Sequence, residues 1–121
     1  MIDLTSGRVH VFLLATDMRK SFDTLAAIVS ENGLDPLSGD LYVFTNKRKN
    51  RIKILLWEKD GFWISAKRLE QGTVAIPLVA DGNGSDYQLE IDLTELRLLI
   101  EGIELRQIKK SKRFDKKNLQ R

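Results

Sequence analysis

The stretch LYVFTNKRKNRIKILLWEKDGFWISAKRL, residues 41–69, decides the fold. Leu41–Phe44, Ile52–Glu58 and Phe62–Lys67 are three runs rich in β-branched and aromatic residues, and each is short enough to be one strand. Asn46–Asn50 between the first two is polar and basic, as a loop should be. Lys59-Asp60-Gly61 between the second and third is a strong hairpin signal. Two successive hairpins predict an antiparallel β-meander.

Upstream, Val9-His10-Val11-Phe12-Leu13-Leu14 is a continuous apolar run with β-branched residues, which predicts a strand buried on both faces. Asp17 is placed to cap a helix, because its carboxylate can accept orphan backbone N–H groups of the next turn. Met18, Phe22, Leu25, Ala26 and Val29 follow at helical spacing, and Asn32-Gly33 stops them. Asp35-Pro36 and Ser38-Gly39-Asp40 are turn chemistry. Downstream, Val74–Val79 is a candidate edge strand, where Pro77 is tolerated because an edge can lack one donor. Asp81–Ser85 is a glycine-rich turn, and Tyr87–Ile91 a short strand. Thr94 then caps a second helix whose Leu96, Leu99, Ile100 and Ile103 share a face and which Gly102 ends or distorts. The expectation is one α+β domain over residues 1–106, an antiparallel β-meander sheet of about four to six strands with two packed helices. A basic C-terminal tail over residues 107–121, poor in apolar residues, is expected to be disordered.

The 121 residues are 42% hydrophobic and 31% charged, which is ordinary globular composition and leaves room for one domain. Without cysteine there is no disulfide, thiolate metal site or thiol nucleophile, and a reducing compartment is the simplest setting. Gln71–Ala80, ten residues, is the longest stretch free of Asp, Glu, Lys and Arg, about half a membrane span. Met1-Ile2-Asp3 opens with an acid and no cleavable apolar region follows, so a cytoplasmic protein with no membrane partner is expected.

The net charge of +3 is unevenly spread. Residues 107–121 hold seven basic groups and one acid, while residues 1–106 hold 13 basic groups and 16 acids. Within that mildly acidic body, Lys47, Arg48, Lys49, Arg51 and Lys53 crowd one hairpin tip with no acid among them. Such a tip repels itself, and a phosphate backbone would relieve it. A solvated loop whose lysines guard a sheet edge is the plainer explanation. Arg19-Lys20, if in the first turn of a helix, would seat a phosphate at a positive helix end, or Arg19 would only pair with Asp23. Lys67-Arg68 on a strand point to opposite faces, one able to join the basic surface and the other to pair with Glu70. Lys109, Lys110, Lys112 and Arg113, around Phe114, make a polybasic arm of the kind that binds nucleic acid without sequence preference.

Trp57 and Trp63 on adjacent strands are expected in the core, and the lone His10 is expected to be a satisfied core group. The carboxylates are scattered without metal-ligand spacing, and Asp81-Gly82-Asn83-Gly84 lacks the Lys-Ser/Thr of a phosphate-binding loop. No catalytic residue, metal or cofactor is therefore expected.

Several of these segments resemble one family. Thr16–Ala26 (TDMRKSFDTLA) is similar to the TDMRKGFDGLA segment of the small accessory protein of the insertion-sequence sixty-six elements of bacteria. That protein is often called TnpB and is unrelated to the RNA-guided nuclease of the same name. Asp35–Gly39 resembles its DPFSG turn, residues 41–69 its central stretch, and Leu98–Ile103 its LLEGI. Val74-Ala75-Ile76-Pro77 stands where the family often has Phe-x-Trp-Pro, and Ser21 where it has glycine. The resemblance implies a role in transposition beside a separate large transposase that carries the catalytic carboxylates, and no activity of this chain's own.

Resemblance and charge together predict a non-catalytic accessory factor for DNA transposition. Arg19, Lys20, Lys47, Arg48, Lys49, Arg51, Lys53, Lys67 and Arg68 would contact phosphates of transposon ends or nonspecific DNA, and the tail would add affinity. Two alternatives stay open. One is a protein-interaction adaptor that docks on the transposase or another protein of the element. The other is a nuclease, which would need a metal-binding carboxylate cluster.

Overall fold

The computed structural model describes residues 8–79 and 88–102. Its elements are β1 (Val9–Phe12), α1 (Phe22–Glu31), β2 (Leu41–Thr45), β3 (Arg51–Glu58), β4 (Gly61–Arg68), β5 (Gln88–Ile91) and α2 (Leu93–Ile100). The five strands form one sheet in the order β4-β3-β2-β1-β5. The chain is a single small α+β domain, as the sequence predicts, and the tail lies outside the described residues.

The sheet is mostly antiparallel but not a pure meander. β2, β3 and β4 do form the predicted up-and-down run, with Tyr42 opposite Leu55 and Leu56 opposite Trp63. β1 instead pairs with β2 in parallel, Val9 beside Leu41 and Val11 beside Val43. A parallel neighbour needs a crossover, and α1 supplies it. β5 then closes the other side of β1 antiparallel, with Val9 opposite Ile91. β1 and β2 are therefore inner strands, and every residue of both is buried. That agrees with the unbroken apolar run read at residues 9–14.

Two-sided burial requires a cover on each face. On one, α1 lays Leu25 and Val29 over Phe12, Tyr42, Phe44 and Leu55. The rings of Phe12 and Phe44 stack at 4.9 Å there. On the other, Val9, Val11, Leu41, Val43, Ile52 and Leu56 meet Val74 and Ile76 together with Leu96 and Leu99 of α2. Val74–Val79 is thus not an edge strand. It crosses the sheet face as an extended strap, and only Val79 bridges to Leu14. The strap is held by Val74 N–H to the Lys49 carbonyl (2.8 Å), Ala75 N–H to Leu99 (2.9 Å) and Val79 N–H to Leu13 (2.8 Å). Its apolar residues face inward because they replace a helix, not because they extend a ladder.

Both helix starts differ from the sequence reading. Asp17 does not cap α1, because its carboxylate is taken by Arg19 and Lys20 N–H closes a turn on its carbonyl at 3.1 Å. The helix begins after Ser21, where the Thr24 hydroxyl accepts from Ser21 N–H at 3.0 Å. α2 is capped by Asp92, not Thr94. Glu95 N–H donates to Asp92 Oδ1 (2.8 Å) and Asp92 N–H donates to Glu95 Oε1 (3.2 Å), a reciprocal capping box. Thr94 sits within that first turn, so it cannot be the cap. Gly102, with φ of 92°, ends α2 as predicted.

His10 is buried as expected, its Nε2 2.9 Å from Asp40 Oδ2 and its ring stacked on Tyr42. Burial raises the Tyr42 hydroxyl's pKa. That hydroxyl donates to the Asp35 carbonyl (2.7 Å) and pairs with Ser38 Oγ (2.8 Å). The DPLSG turn is therefore a polar socket for Tyr42 at the return from α1 to β2. Of the two tryptophans, Trp57 is half-buried against Phe62 at 5.0 Å. Trp63 is not core: it is 47% exposed on β4, the outer strand of the sheet. No described helix is long and apolar enough to cross a membrane.

Removing the strap's or α2's inner side chains should open cavities at the two-sided core. Ile76→Ala and Leu99→Ala are each expected to cost about 2–5 kcal/mol in urea unfolding. Leu37→Ala, at an exposed site, is expected to stay within about 0.5 kcal/mol.

Candidate nucleic-acid interface

The basic residues gather at one end of the sheet. Asn46 builds the turn between β2 and β3: its Oδ1 accepts Asn50 N–H (3.1 Å) and Arg51 N–H (2.9 Å), and its Nδ2 donates to Asn50 Oδ1 (2.7 Å). The strap's start clasps the same turn, through Leu69 N–H to the Asn50 carbonyl (2.7 Å) and Val74 N–H to Lys49. Lys49 takes a left-handed backbone with φ of 61° within it. The backbone of the turn is a fixed scaffold, so the positions from which its cations project are set before any ligand arrives.

A second loop approaches from β1. Thr16 is buried, and its N–H donates to the Thr45 carbonyl at 2.9 Å. Asp17 then grips Arg19 through its backbone N–H (2.9 Å) and its guanidinium, with Nη2 to Oδ2 at 2.6 Å. This pairing holds the Asp17 carboxyl well below the usual carboxylate range. The pair is solvent-exposed, so screening leaves it little weight in stability. Lys53 Nζ reaches across to the Lys20 carbonyl at 2.8 Å and ties this loop to β3.

Between these parts runs a groove of about 600 Å³, bounded by Arg19, Lys47, Arg48, Arg51 and Arg68 with Asp17, Asn46 and Asn50. A second hollow of about 370 Å³ shares Met18, Arg51 and Arg68 with it and adds Lys53, Lys67 and Glu70. Seven cations line the two together, against the acids Asp17 and Glu70. Both acids are engaged, Asp17 with Arg19 and Glu70 with Arg68 (2.9 Å). Among the described residues, Lys47, Arg48, Arg51 and Lys67 carry no ion pair.

The pairing of β3 with β4 sets Arg51 directly opposite Arg68. Two like charges at one cross-strand position repel. Lys53 lies on the same face as Arg51, two residues along. The end of this hairpin is therefore held together against its own charge.

The match to a protein-family model described as IS66 Orf2 like protein covers residues 7–110. The chain belongs to the IS66 Orf2-like family. Two relatives from Sinorhizobium fredii are both named as uncharacterized proteins. The one named y4jC is 33% identical over 104 residues, covering 85% of each chain. The one named y4hO is 32% identical over 100 residues, covering 82% of this chain and 83% of its own. No solved structure matches. This IS66 Orf2-like protein thus has an accessory role associated with transposition.

The structure sorts the residues read as DNA contacts in this family member. Arg19, Lys47, Arg48, Arg51 and Arg68 line the groove, and Lys53 and Lys67 line the adjoining hollow. Lys20 and Lys49 do not line it, and contribute backbone carbonyls to its frame instead. Arg19 and Lys20 are not in a helix's first turn, so there is no helix-end phosphate seat, and Arg19 pairs with Asp17 rather than Asp23. Lys109, Lys110, Lys112 and Arg113 lie outside the described residues. Asn46 and the Arg51–Arg68 opposition are the groove features that the sequence did not disclose. A one-residue change of register would have put Arg68 opposite Asn50 or Ile52. Among the described residues, no group of three or more His, Asp or Glu could hold a metal ion.

Scaffold and cation should separate by mutation. Asn46→Ala, which removes the side chain that organises the turn, is expected to lower stability by about 1–3 kcal/mol. Arg51→Ala is expected to leave stability unchanged or raise it by a few tenths of a kcal/mol at low salt. Urea titration at two ionic strengths checks both, and the gain from Arg51→Ala should shrink at the higher one.

Proposed function

We propose that this protein assists transposition by binding the DNA backbone in the basic groove. The observation that carries the reading is the fixed opposition of Arg51 and Arg68 beside Arg19, Lys47 and Arg48 in one groove. A scaffold that forces like charges together loses free energy when empty, and an anion between them returns it. Duplex DNA offers such anions in a regular array, and each phosphate neutralised releases condensed counterions. Contacts of this kind fix position and register without reading bases, so discrimination between transposon ends and other DNA is expected to be weak. The basic tail would add sequence-independent affinity. In this role the protein contributes positioning, and the bond-breaking chemistry belongs to a separate transposase.

The alternative, an adaptor that docks on the transposase without touching DNA, rests on the exposed apolar residues Phe22, Leu37 and Trp63. These sit on α1, on the α1–β2 loop and on β4. The groove and the adjoining hollow, by contrast, gather seven cations between them, and this favours DNA.

Fluorescence anisotropy of the full chain with a terminal inverted-repeat duplex and a scrambled duplex tests this. Affinity should fall log-linearly with salt, and removing one phosphate-binding cation should make the slope shallower by about 0.9. Replacing Lys47, Arg48, Arg51 and Arg68 together by Ala should remove most of the binding to both duplexes. Affinity that ignores salt, or survives that replacement, would rule the groove out and turn attention to the adaptor reading.

A further inference from the structure

The outer face of β4 carries one feature that the groove does not use. Trp63, Ser65 and Lys67 point to the same side of this edge strand, and all three are exposed. Their cross-strand partners Leu56, Ile54 and Ile52 belong to the core beneath the strap. No β4 residue belongs to that core cluster, and the indole of Trp63 is 47% exposed beside it. At the far end of the same stripe, about 13 Å along the strand, Lys67 lines the smaller hollow with Arg51 and Arg68. An open aromatic ring thus shares its face with one cation, Lys67, and Arg51 and Arg68 project from the opposite face at the same end of the β4 edge.

We propose that Trp63 is a stacking platform for an unpaired base, so that the groove and β4 together hold single-stranded DNA. This rests on the DNA-binding reading above and narrows it. A duplex keeps its bases stacked inside and can offer the groove only its backbone. Arg51 and Arg68 project from the opposite face of the sheet to Trp63, so a single strand would round the β4 edge, with phosphates at Arg51 and Arg68 on one side and, on the other, a phosphate at Lys67 and a base on Trp63. Basic grooves combined with open aromatic faces are how non-sequence-specific single-strand binders work, since every base has a π-face. The Ser65 hydroxyl between them leaves the stripe unobstructed by a bulky side chain.

The test compares the full-length wild-type chain with Trp63→Ala and Trp63→Phe. The probes are a labelled mixed-sequence single strand and its duplex at one fixed salt concentration. Because Trp63 is exposed, the variants should keep the parent's circular dichroism and unfolding midpoint. Trp63→Ala is expected to weaken single-strand binding roughly 5- to 150-fold and leave duplex binding unchanged, and Trp63→Phe to restore most of the loss. Equal binding of the single strand by wild type and Trp63→Ala would overturn the proposal while the groove reading stands. So would equal weakening on both probes. A wild-type dimer that Trp63→Ala dissociates, with single-strand affinity unaltered, would assign the face to a second copy and overturn it too. If the wild type binds neither probe, the groove reading falls and this proposal with it.

Discussion

Burial of β1 and β2 on both faces is the constraint from which the rest follows. A sheet with two apolar faces cannot leave either to water, so the chain must supply two covers. α1 provides the first on its way from β1 to β2, and that crossover makes the pair parallel. The strap and α2 provide the second. The strap has no helical hydrogen bonds of its own to satisfy its backbone, so it borrows partners from Lys49, Leu99 and Leu13. One of those partners lies in the β2–β3 turn. The demand for a cover over the core therefore also braces the turn that carries the basic cluster.

That coupling explains how so much like charge is tolerated in one place. The opposition of Arg51 and Arg68 costs a few tenths of a kcal/mol, and each further close pair costs about as much. Burying Val74 and Ile76 fully is worth about 1.5–3 kcal/mol per side chain. The core thus outweighs the repulsion at the groove, and the backbone that carries the cations keeps its place. The two acids nearby do not neutralise the groove. Asp17 fixes the loop that carries Arg19, and Glu70 holds the exposed Arg68 side chain near the hairpin's end. On the proposed reading, the fold stores an electrostatic tension that a polyanion relaxes.

Local signals in the sequence were reliable where one element alone decides them. The two hairpins, the doubly buried first strand, the α1 stop at Asn32-Gly33 and the Gly102 terminus are all where composition and turn chemistry put them. What escaped depends on contacts distant in sequence. Val74–Val79 has strand composition, but whether it pairs in the sheet or lies across it depends on where α2 leaves space. Asp17 has capping chemistry, yet a neighbouring arginine claims it first. Trp63 has the composition of a core residue, and only strand order reveals that β4 is an edge. The parallel pairing of β1 with β2 was open to inference from the helix between them. The candidate interface divides the same way: the Lys47–Lys53 cluster is plain in the sequence, whereas its closure by Arg19 and Arg68 needs the strand register and the β1 loop.

The most direct test of the basic groove is a titration of the 15N-labelled full chain with a short DNA duplex, followed by amide chemical shifts. The account predicts that the moving resonances cluster at residues 16–20, 46–53 and 66–70, three separate stretches that only this fold brings together. Shifts confined to residues 107–121 would contradict it, since the tail alone would then carry the DNA and the groove would have no part in it.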